Sequence, residues 1–87
     1  MYRIWASVYT DGKIKKDITV ESTQKLPSNA LLECLEQICR FFDVSMPMWH
    51  TKHTKQFNSF RKIIFLPDDF IDDLKHDKMV LEIIDEN

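Results

Sequence analysis

The stretch Ser7–Val20, SVYTDGKIKKDITV, carries the only glycine of an 87-residue chain, Gly12, between two segments that alternate apolar and polar side chains. Alternation on both sides of a Thr-Asp-Gly turn is the pattern of a β-hairpin. A two-residue Asp11-Gly12 loop pairs Tyr9 with Ile14 and sets Ile4 opposite Thr19, which mixes the apolar and polar faces. A three-residue loop, Thr10-Asp11-Gly12, pairs Val8 with Ile14, Ile4 with Ile18 and Tyr2 with Val20, so that one face becomes apolar. The expectation is therefore a type I turn with Gly12 left-handed in a bulge, a conformation glycine takes without penalty. The reverse face then carries Arg3, Trp5, Ser7, Lys15, Asp17 and Thr19.

Downstream, Ser28 or Asn29 is placed to cap a helix running to about Phe42. At 100° per residue, Leu31, Leu35, Ile38, Phe42 and their apolar neighbours fill half of the wheel, while Glu33, Glu36, Gln37 and Arg40 fill the other. That face packs on the hairpin. Phe57 and Phe60 suggest a short helix over roughly 54–60 with both rings as core anchors, and KIIFL then reads as a strand. Pro67 with Asp68 and Asp69 opens another short helix, anchored by Phe70, Ile71 and Leu74. The apolar run MVLEII reads as a central strand. The whole chain, residues 1–87, is expected to form one α+β domain. It comprises an N-terminal hairpin, one amphipathic helix and two further strands with short helices, making a four-stranded, mainly antiparallel sheet.

The segments IWASVYTDGKIKKDITVE, LLECLEQICRFFDV and PMWHTKHTKQFNSFRKIIFLPDDFIDDL resemble a group of short uncharacterised bacterial proteins of similar length. The likeness spans nearly the whole chain and lies in aromatic anchors and hairpin residues. It implies a compact stand-alone bacterial protein and assigns no activity, cofactor or partner.

Charge is segregated although the net value is only −2. Residues 1–49 are balanced; residues 50–62 hold Lys52, Lys55, Arg61 and Lys62 and no acid; from Ile63 onward eight acids face two lysines. Local potential of this kind steers partners more than the net charge does. No apolar run is long enough for a membrane span, and the first residues lack a signal-peptide pattern, so a cytoplasmic protein is expected. Two cysteines, Cys34 and Cys39, near opposite margins of the helix face, fit free thiols in a reducing compartment.

Catalytic signatures are sparse. A single glycine excludes a Walker loop and a dinucleotide fingerprint, and there is no GxSxG elbow. His50 and His53, three apart, have a chelating spacing, with His76 or an aspartate as a third ligand. Lys52 and Lys55 oppose a cation there, so solvated surface histidines and no metal or other cofactor are expected. Asp68, Asp69, Asp72 and Asp73 read as a helix start with a solvated acidic face, available to a partner.

The expectation is a non-catalytic protein-interaction or regulatory module, with the chain itself, as a homodimer, among its partners. Its binding surface is Trp5, Trp49, His50, Lys52, His53, Lys55, Arg61 and Lys62, with Met46, Pro47 and Met48 beside Trp49 as apolar anchor. The same basic segment, with Trp49 or Trp5 as a stacking platform, carries the alternative of single-stranded nucleic-acid binding.

Overall fold

The computed structural model describes residues 1–86. Strands β1 (Tyr2–Thr10) and β2 (Lys13–Ser22) form the hairpin, β4 (Lys78–Asp85) pairs with the other side of β1, and β3 (Lys62–Phe65) pairs with β4. The sheet order is β2-β1-β4-β3 and every pairing is antiparallel. The apolar MVLEII strand is thus central, as its composition required. Helix α1 (Pro27–Phe42) covers one face of the sheet, and α2 (Thr51–Phe60) leads into β3. Fold class and architecture are those expected from the sequence.

The core forms where period two meets period 3.6. Ile4, Ala6 and Val8 of β1, Met79 and Leu81 of β4, and Ile63 and Phe65 of β3 point to one face and are buried. Against them α1 presents Cys34, Leu35, Ile38, Cys39 and Phe42. Each large apolar side chain removed from water in this way contributes about 1.5–3 kcal/mol relative to exposure. The helix stops at Asp43, which is left-handed (φ 57°), and the Val44 N–H returns to the Cys39 carbonyl at 3.0 Å.

The hairpin reaches its apolar face by another route than the three-residue loop. Asp11 (φ 54°) and Gly12 (φ 77°) are both left-handed, and Thr10 pairs with Lys13, a two-residue turn of the primed type whose twist matches the strands. Tyr9 pairs with Ile14, but Val8 pairs with Lys16, so Lys15 is an extra residue in a β-bulge. One inserted residue reverses the facing of everything beyond it. Ile18 and Val20 thereby come opposite Ala6 and Ile4, and Ile14, on the turn side of the bulge, stays 44% exposed.

Three local expectations are corrected. Pro27 occupies the first turn of α1 after Leu26, so neither Ser28 nor Asn29 is its cap. Helix α2 begins at Thr51, and its Phe57 packs on the core while Phe60 is exposed. The segment opened by Pro67 is a single 3₁₀ turn, Pro67–Asp69, after which Phe70 is buried and Leu74 half-buried but Ile71 points outward.

Both sheet edges are managed. The Ile64 N–H on edge strand β3 donates to the Gln56 Oε1 of α2 at 2.9 Å. Edge strand β2 carries Lys13, Lys15 and Lys16, charges that discourage further strand addition.

Candidate functional site

Two short turns approach each other beside the end of β3, and both are closed by the third side chain of their helix. At α2 the His50 N–H donates to the Nδ1 of His53 at 2.8 Å. At the 3₁₀ turn the Leu66 N–H donates to the Oδ2 of Asp69 at 2.8 Å. Each bond satisfies a backbone donor that a helix start leaves free. The two capping side chains then meet, the Nε2 of His53 lying 3.3 Å from the Oδ2 of Asp69. Because Nδ1 accepts from a backbone N–H, the ring proton resides on Nε2, which donates to the carboxylate.

This node is buried: His53 is 0% exposed and Asp69 2%. Neither is the solvated surface group expected from the sequence. The reason is tertiary, since each side chain reads as exposed on its own short turn and is covered only when the turns dock. The Met48 N–H donates to the Asp69 carbonyl at 2.7 Å, and Pro47 forms a β-bridge with Phe70, which fixes the Met46–His50 limb onto the turn. The His53 ring packs on Phe65 with centroids 4.5 Å apart, and Trp49 lies edge-on to Phe65 at 6.0 Å.

The outer oxygen of Asp69, Oδ1, faces Lys52 Nζ at 3.2 Å and His50 Nε2 at 3.5 Å, both on half-exposed side chains. Burial alone raises the Asp69 pKa, but the Leu66 N–H, Lys52 and His53 outweigh it and hold the carboxyl below its ordinary range. For His53, burial is the largest influence and lowers its pKa, with Lys52 and His50 adding to it and Asp69 opposing. The ring is therefore neutral at pH 7 beside an ionised carboxylate.

Such a cluster has the composition of a metal or acid–base site but not its availability. Both His53 nitrogens are committed within the protein, and the Lys52 ammonium occupies the carboxylate edge where a cation would sit. Among the described residues no three His, Cys, Asp or Glu side chains are grouped to hold a metal. His76 instead pairs its Nδ1 with Thr10 Oγ1 at 3.0 Å. Cys34 and Cys39 are buried free thiols whose pKa values burial pushes up to about 11.

The limb held by the node forms one wall of a groove of about 510 Å³, and α1 forms the other. Leu31, Leu32 and Leu35 line it from the helix, Met46, Trp49 and Phe57 from the opposite side, and only Ser28 and Thr54 bring hydroxyls. Leu32, Met46 and Trp49 remain 51%, 37% and 40% exposed, an apolar surface without a cover in the folded chain. The Trp49 indole N–H donates to Thr54 Oγ1 at 2.8 Å, which orients the ring as a wall.

The expected binding residues are divided by the fold. Trp49 lines the groove, His50, Lys52 and His53 surround Asp69, and Lys55 is exposed on α2 beside Thr54. Arg61, left-handed at the end of α2, stacks over Phe57 at 5.4 Å and pairs with Glu86 at 3.2 Å. Trp5 and Lys62 lie on the outer sheet face in one row through Glu82, and the Trp5 indole N–H donates to Asp17 at 2.9 Å. Trp5 and Trp49 thus serve different faces and form no common platform. Asp68, Asp72 and Asp73 are exposed as expected.

Sequence reasoning found the Met46–Trp49 wall and missed the helix wall. The signal was present in an apolar arc on α1 that is wider than one sheet contact needs. No helix among the described residues is long and apolar enough to cross a membrane. Comparison of the chain with protein-family models, curated proteins and solved structures found no match.

Proposed function

We propose that this chain is a small, non-catalytic cytoplasmic interaction module that docks an acidic, apolar-centred protein segment in the groove between α1 and the Met46–Phe57 limb. The observation that carries this reading is the groove itself. Its volume falls in the range of about 300–1,000 Å³ typical of pockets that bury a ligand, and its walls are apolar with two hydroxyls. Lys25, two residues before the lining Pro27, and Lys55, next to the lining Thr54, are exposed lysines close to it in the chain. Apolar anchors with a charged rim are the anatomy of a protein interface, with tryptophan enriched at its energetic centre. The buried His53–Asp69 pair supports the reading by holding one wall in place without spending a free catalytic group.

A Trp5→Phe variant leaves Trp49 as the single tryptophan and reports on the groove. Its fluorescence is titrated with a synthetic peptide carrying two leucines flanked by aspartates, and separately with mixed-sequence single-stranded RNA. The expected result is a saturable change with the peptide that Leu32→Asp abolishes, and none with RNA. A silent peptide combined with RNA quenching that weakens steeply with salt overturns the proposal and makes Lys52 and Lys55 a phosphate-tracking surface.

A further inference from the structure

The acidic segment that follows the 3₁₀ turn has the chemistry this groove accepts. Ile71 is 79% exposed, more than any other large apolar side chain among the described residues, and it lies between the exposed carboxylates of Asp68, Asp72 and Asp73. Lone exposed apolar residues are ordinary, but this one adjoins the groove. The Pro47–Phe70 bridge puts Ile71 next in line to Phe70 and Met46 next in line to Pro47, so the protruding side chain and the groove wall are neighbours on one side of the molecule. Within the chain Ile71 stays outside the groove and in solvent.

Exposed charges near these elements are unmatched. Lys25 and Lys55 have no ion-pair partner among the described residues, and neither have Asp68, Asp72 and Asp73. Glu33 and Glu36 line a second, polar hollow with Gln24, Asn29 and Leu32, and Leu32 also lines the groove. A protruding apolar side chain and an apolar recess that are adjacent on one surface are self-complementary under a two-fold rotation.

We infer that the occupant of the groove is the Asp68–Asp73 segment of a second copy of this chain. This rests on the groove being a protein-docking site and goes further by naming the partner. In the resulting two-fold dimer each Ile71 enters the other copy's groove against Leu32, Met46 and Trp49. The three flanking carboxylates of each copy face the other's Lys25 and Lys55. The exchange is reciprocal, so the assembly closes as a dimer and does not propagate into a filament.

Sedimentation velocity on the full chain, over micromolar to submillimolar concentrations in low and high salt, tests this. The expected mass rises with concentration from the 10.4 kDa of one chain to twice that value. High salt weakens the association, since screening tightens from roughly 10 Å at 0.1 M to 3 Å at 1 M. Ile71→Asp, at an exposed position where folding is unaffected, raises the dissociation constant at least about tenfold, the loss typical of a central anchor. Two charge-reversed chains, Asp72→Lys with Asp73→Lys and Lys25→Glu with Lys55→Glu, are each monomeric alone and pair when mixed. A monomer at every concentration overturns the inference, as does a dimer indifferent to Ile71→Asp. The leucine–aspartate peptide separates the two levels: a monomer whose Trp49 still responds to it is a docking module with a different partner, and a monomer that does not respond loses both readings.

Discussion

Asp69→Ala is the substitution that most directly tests the buried node. The carboxylate accepts from the Leu66 N–H at 2.8 Å and from His53 Nε2 at 3.3 Å, and its removal takes the acceptor from both donors. A buried donor left unsatisfied costs about 1–3 kcal/mol. Lys52 and His50 are half-exposed and turn to water, so their share is about 0–1 kcal/mol each. The sum is about 2–8 kcal/mol. Against a stability of about 4–13 kcal/mol for a domain of this length it is a large fraction. At about 4–8 °C per kcal/mol, the midpoint of thermal unfolding falls by at least about 8 °C. Urea unfolding at pH 7, followed by Trp49 fluorescence in the Trp5→Phe background, measures the difference. Asp68→Ala, at an exposed carboxylate one residue away, is the control and stays within about 0.5 kcal/mol. Asp69→Asn retains an acceptor for the Leu66 N–H but not the charge, and falls between them. An Asp69→Ala protein within about 1 kcal/mol of the parent refutes the reasoning, because the donors would then have found other partners.

The same node sets an acid limit on stability. His53 has a folded pKa below its ordinary 6.5, so the unfolded chain binds the extra proton and stability is lost as pH falls below 6.5 toward the folded value. Asp69, also depressed, keeps its contribution above its ordinary 3.8 and loses it as pH falls through the folded pKa. Urea midpoints from pH 7.5 to 3 therefore decline in two windows. His53→Gln removes the upper one, and an unchanged slope there would assign it to another group. A third prediction concerns the thiols. With pKa values raised to about 11 by burial, Cys34 and Cys39 resist iodoacetamide at pH 8 in the native state and both react once the chain is unfolded in urea. Prompt native alkylation would mean that α1 opens readily from the sheet.

What could be read from the sequence was what depends on near neighbours. Alternating Ile, Val and Tyr around Asp11-Gly12 specify a hairpin, and the half-wheel of apolar residues from Leu31 to Phe42 specifies a helix that must lie on it. The apolar density of Met79–Ile84 specifies a central strand, flanked by β1 and β3. Turn type and bulge were less legible, because a tight turn with a bulge at Lys15 and a three-residue loop with its bulge at Gly12 both give an apolar face. The first uses a primed turn, whose twist matches that of the strands. The site was legible only in fragments. Composition alone marked the basic segment 50–62 and the acids 68–73 as opposites, and Met46–Trp49 as an apolar anchor. Nothing local, however, tells His53 and Asp69, sixteen residues apart, that each caps its own turn and then caps the other. That contact, and the groove wall it holds against α1, exist only because α2 folds back along β3, with the Ile64 N–H on Gln56, and so sets the two turns side by side. Local periodicity determined the elements of this protein, and long-range docking of two short turns decided which of its charged side chains became core and which stayed surface.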